Sequence, residues 1–105
     1  MAQPLVPPEL LDPVVAYFKP RRVIVFGSVA RGDTGPDSDI DLLVVLDDDA
    51  PKDMLTYRAG MEASRSYKES ADVIPCREDT YRRFSKIVGT LPYAARTEGV
   101  VVYER

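Results

Sequence analysis

The segment Asp39-Ile40-Asp41-Leu42-Leu43-Val44-Val45-Leu46 constrains the fold of this chain more than any other. It alternates acid and apolar at its head, then runs apolar without a break. A strand covered on both faces reads this way, and such strands lie inside a sheet with helices on either side. Three further strands are expected: 22–26 (RVIVF), 71–75 (ADVIP, closed by Pro75) and 100–104 (VVVYE). Helical spacing covers 9–18, where Pro13 either opens a turn capped by Asp12 or kinks a longer helix. It also covers 52–68, weakened at Gly60, and 78–97, interrupted near Gly89 and Pro92. The order of elements predicts an α/β (α+β) fold, a mixed sheet flanked by helices. With 105 residues, the expectation is one domain over 1–105.

Between the first two strands lie Gly27 to Asp39, too many residues for a tight turn and so a candidate functional connection. Gly27 ends a strand and Ser28 opens a helical turn. A glycine there lets an anion approach the backbone, and the free amides of a helix start point at it. The Ser28 hydroxyl adds a hydrogen bond, and Arg31, one turn on, reaches a phosphate or pairs with a nearby acid. Gly32 to Ser38 (GDTGPDS) is a loop of turn-forming residues.

Asp39 and Asp41 are two apart on a strand, so both face one side while Ile40 points into the core. Two such carboxylates repel unless a cation or a proton lies between them. Mg²⁺ takes one or two carboxylates together with substrate phosphates, so the pair reads as a metal bracket beside a polyphosphate cradle. Asp72, at the head of the apolar strand ADVIP, is the candidate third acid. If that strand neighbours 39–46, the three carboxylates meet and hold two Mg²⁺ ions, with Asp72 as base for an acceptor hydroxyl. The chemistry expected is nucleotidyl transfer from a Mg–nucleoside triphosphate, with pyrophosphate leaving.

The pattern Gly-Ser, ten residues, Asp-x-Asp resembles the signature of the polymerase-β-like nucleotidyltransferases. The longer string GSVARGDTGPDSDIDLLV is similar to the minimal nucleotidyltransferases of prokaryotes, the MntA-type antitoxins of HEPN/MNT toxin–antitoxin pairs. The resemblance spans nearly the whole chain. It implies Gly27, Ser28, Arg31 and Ser38 as nucleotide-binding residues and Asp39, Asp41 and Asp72 as catalytic and metal-binding residues. It further implies an enzyme that moves AMP from Mg–ATP to a hydroxyl, here a tyrosine of a HEPN ribonuclease toxin. Two alternatives stay open: an antitoxin that neutralises its partner by binding alone, and transfer to a small molecule.

Taken singly, these residues have plainer readings. Gly27-Ser28 serves as a capped turn, Asp39 as a turn cap, Asp41 and Asp72 as exposed acids, and Arg31 as a surface ion-pair partner. Lys68, Lys86 and Asp47 to Asp49 read as solvated faces, and Cys76 as a small buried residue. Tyr57, Tyr67, Tyr81, Tyr93 and Tyr103 read as packing groups, one of which could stack on adenine.

Charge and composition narrow the classes. The net charge of −3 disfavours stable nucleic-acid binding by this chain. The chain has no histidine, which removes His-based triads and His zinc sites. A lone cysteine allows no internal disulfide. No signal peptide or membrane span is read, so a cytoplasmic protein without membrane contact is expected, as a homo- or hetero-oligomer if strand 100–104 offers its edge to another chain.

Overall fold

The structure, a computed structural model, describes residues 5–32 and 39–105. Four strands form one mixed sheet: β1 (Arg22–Phe26), β2 (Ile40–Leu46), β3 (Ala71–Arg77) and β4 (Val100–Glu104), in the spatial order β3-β2-β1-β4. The β1–β2 and β1–β4 pairs are antiparallel, and β2–β3 is parallel. Around the sheet lie α1 (Pro8–Phe18), the single turn α2 (Ser28–Arg31), α3 (Tyr57–Ala63), α4 (Glu78–Phe84) and α5 (Leu91–Glu98).

Period-two alternation sorts the strand side chains into two cores. Val23, Val25, Ile40, Leu42, Val44, Leu46 and Val73 face α1 and α3, meeting Leu10, Val14, Phe18, Ala59 and Ala63. Ile24, Phe26, Leu43 and Val45 face the other way, against Ala95 of α5 and Tyr81 of α4. The inner strand β2 is thus buried on both faces, and its apolar run follows from that. α1 buries Leu10, Val14 and Phe18, one residue per turn. It runs through Pro13 and ends where Lys19 turns left-handed, at φ 48°.

Two expectations need correction. The helix over 52–68 is two pieces, a 3-10 turn over Lys52–Leu55 and α3 from Tyr57. Thr56 between them is extended, and its hydroxyl accepts from the Ala59 amide at 3.1 Å, capping α3. The strand expected to close at Pro75 continues to Arg77. β3 is a sheet edge, so a proline there can turn its missing N–H away from the ladder.

At one end of the sheet the charges are structural. Arg22 donates to both oxygens of Glu78 at 2.8 and 2.9 Å, and Asp47 accepts from Arg21 and Arg105 at 3.3 and 2.7 Å. Asp48 accepts the Asp79 amide at the start of α4 at 2.8 Å, so the acidic turn at 47–49, though largely exposed, also helps to hold the fold. The Arg22 guanidinium holds the Glu78 carboxyl below the usual carboxylate range, against the opposing effect of its burial. Among the described residues no helix is long and apolar enough to cross a membrane.

Candidate active site

The opposite end of the sheet gathers the end of β1 and the starts of β2, β3 and β4. β1 stops at Phe26 because Gly27 leaves strand geometry for φ 75° and ψ −150°, a conformation open essentially to glycine alone. α2 follows at once, and its first helical bond runs from the Arg31 amide to the Gly27 carbonyl at 3.1 Å. The amides ahead of Arg31 are therefore not used by the helix. Phe26 is the register partner of Asp41, which brings Gly27 against that acid. A Cβ built on Gly27 would overlap Asp41 Oδ2.

Asp41 and Asp72 are register partners across the parallel β2–β3 pair, side by side on adjacent strands. Ile40 is buried in the α1/α3 core, so Asp41 lies on the α4/α5 side, ahead of Leu43 and Val45. Asp39 stands exposed just before the strand. Partial burial raises the Asp41 carboxyl above its ordinary range, and the charges of Asp72 and Asp39 push it further the same way. The close approach of the Asp72 carboxyl acts in that sense too, while Arg31 pulls Asp41 back down. The crowding of negative charge expected from Asp39 and Asp41 is thus strongest between Asp41 and Asp72. Among the described residues, no group of three or more carboxylates or other ligating side chains forms a ready metal cluster.

Arg31 reaches toward the site from α2 and pairs with Glu98 at the end of α5 at 3.2 Å. Ser28 is half-buried at the head of α2. Ser38 falls outside the described residues. Lys68 and Lys86 are exposed, and burial pushes the Cys76 thiol up to about 12.

Tyr57 belongs to this site although nothing in its sequence position marks it. Its hydroxyl donates to Asp72 Oδ1 at 3.5 Å. The cause lies one turn on, at Gly60, where a Cβ would overlap the Val73 carbonyl oxygen. Only a glycine lets α3 settle directly on the backbone of β3, and that seating carries Tyr57 to the acid beside Val73. Glu98 was likewise not legible, because its contact with Arg31 spans most of the chain.

The donor set suits a hard divalent cation. Two carboxylates are held in register with their repulsion only partly relieved, a third lies two residues away, and a side-chain-free backbone lies against the pair. Asp41 and Asp72 could supply oxygens to such a cation, Gly27 leaves room for the Asp41 carboxylate, and the first amides of α2 are the groups that could meet polyphosphate.

A family model described as a nucleotidyltransferase domain matches residues 8–93. Among solved structures, a candidate nucleotidyltransferase from Sulfolobus solfataricus aligns at a TM-score of 0.59 and 25% identity, covering 92% of this chain and 76% of that one. A toxin–antitoxin structure with AMP-PNP aligns at 0.64 and 16% identity, covering 95% of this chain and 75% of that one. A search of curated proteins finds no match.

Proposed function

The chain belongs to the nucleotidyltransferase-domain family, and on that premise we propose that it transfers AMP from Mg–ATP to a hydroxyl acceptor through Asp39, Asp41 and Asp72. The observation that carries this reading is the in-register pairing of Asp41 with Asp72, with Gly27 stacked against Asp41.

Each residue has a part that its placement supports. Gly27 lets the triphosphate lie on the backbone, and Ser28 with the amides of α2 donates to phosphate oxygens. Arg31, already felt at Asp41, adds positive charge near the phosphates. Ser38, outside the described residues, would add a further hydroxyl on the strength of the resemblance alone. Asp39, Asp41 and Asp72 would be the residues to hold two Mg²⁺ ions. Bound Mg²⁺ neutralises charge on the phosphates and aligns the reacting oxygens. Asp72 accepts the proton of the attacking hydroxyl, which stands on the β3 side of the site.

The finer reading is a cytoplasmic antitoxin, a protein adenylyltransferase whose acceptor is a tyrosine of a HEPN toxin. It rests on the resemblance of residues 27–44 to the minimal nucleotidyltransferases. The toxin–antitoxin structure of the same fold is in keeping with it.

The test is incubation with ATP, Mg²⁺ and the product of the neighbouring gene, followed by intact mass. The expected result is a gain of one or more AMP units on that protein, lost in the Asp39→Asn/Asp41→Asn double variant. A tight complex with no mass change, equally neutralised by the double variant, would replace this reading with a binding module.

A further inference from the structure

We propose that Tyr57 is itself a nucleotidyl acceptor, modified in cis by the site it borders. The inference rests on the transferase reading above. It names an acceptor within the chain, independent of any partner.

Three observations carry it. The Tyr57 hydroxyl donates to Asp72 Oδ1 at 3.5 Å, the long form of the contact between an acceptor hydroxyl and a carboxylate base, which has to tighten to about 2.6–3.2 Å for proton transfer. The residue is 63% exposed, so neither its packing nor the core prevents the hydroxyl from meeting a phosphate. Its placement is also enforced. Thr56 caps the helix that Tyr57 begins, and Gly60 seats that helix on the Val73 backbone, so Tyr57 is held at the site by a fixed element. A residue held this way is pre-oriented, and orientation supplies much of the advantage of an intramolecular reaction.

The step balances within the groups named. Tyr57 Oη attacks the α-phosphorus of the nucleoside triphosphate and forms the Oη–P bond. The bond from that phosphorus to the β-phosphate bridging oxygen breaks, and pyrophosphate departs. The phenolic proton passes to the Asp72 carboxylate. The product is a phosphodiester on Tyr57 that places a nucleotide over Asp72 and excludes other acceptors.

The full chain, alone, is incubated with α-labelled ATP and Mg²⁺. Intact mass, peptide mapping and the Mg²⁺-dependent thermal shift with a non-hydrolysable ATP analogue are recorded. The expected result is one AMP per chain, mapped to the peptide carrying Tyr57, formed at a rate per molecule independent of protein concentration. Label falls to background in Tyr57→Phe, which melts like the parent. Label on another residue, or a rate that rises with protein concentration, overturns modification in cis. A thermal shift with the analogue but no label overturns the proposal and leaves the transferase reading standing. Absence of both thermal shift and label overturns the two together.

Discussion

The Asp41 carboxylate occupies the space that a side chain on residue 27 would need. That contact joins the end of β1 to the first acid within β2, and it makes the glycine a structural requirement of the site. Gly27→Ala must therefore both adopt φ 75° and displace Asp41. The backbone strain alone is worth about 1–3 kcal/mol. A shift of the carboxylate by an ångström lowers transfer by roughly 10²-fold. Urea unfolding measures the first effect and pyrophosphate release the second.

Asp41 and Asp72 lie side by side with like charge, so their stability and their function should separate. Asp41→Asn removes one charge and keeps the shape. Without Mg²⁺ the variant is expected to melt at or above the parent temperature. Adding Mg²⁺ should raise the parent's melting temperature and leave the variant's unchanged, since binding to the folded state alone stabilises it. Transfer should fall by about 10²–10³. A variant that still gains stability from Mg²⁺ would show that Asp41 is not a ligand.

Gly60 lies against the Val73 carbonyl oxygen. At an exposed helical position, glycine to alanine stabilises by up to about 1 kcal/mol. Here the new methyl meets backbone, which cannot swing aside, and overpacking of this kind costs about 1–3 kcal/mol. The sign should therefore reverse: Gly60→Ala destabilises, measured by chemical denaturation. It should also move Tyr57 away from Asp72.

Glu78 is buried, its side chain 6% exposed, and Arg22, its bidentate partner, is 19% exposed. The arginine depresses the carboxyl's folded value, so the unfolded chain takes up its proton first as pH falls. The stability from this pair is fully present above the ordinary carboxylate range and drains away as pH drops through the lower folded value. Glu78→Gln should flatten stability against pH across that acidic window. At neutral pH it should cost about 2 kcal/mol, less than the roughly 3–5 of a fully buried pair, because Arg22 is partly hydrated. Arg22 also keeps Glu104 at 3.6 Å. Denaturation midpoints between neutral and acidic pH read both effects.

Local pattern alone carried a good share of this architecture. β1 is RVIVF because a short β-branched run ended by glycine has few other ways to fold, and β2 announced its double burial by its unbroken apolar tail. The Asp-x-Asp spacing placed two acids at the head of β2, of which Asp41 lies within the strand and Asp39 just before it, and Gly27-Ser28 marked the turn at the end of β1. These are properties of neighbours along the chain, where periodicity and backbone freedom act directly.

The tertiary structure decided the relations between residues far apart in sequence. That Asp72 pairs with Asp41 depends on the β2–β3 register, which no local signal states. The passage of β3 through Pro75 depends on its being an edge. The reach of Tyr57 to Asp72, and the grip of Arg22 on Glu78 across 56 positions, exist only once helices are seated on the sheet. Such contacts have no period to read, because their partners are chosen by packing and by the closing of long loops.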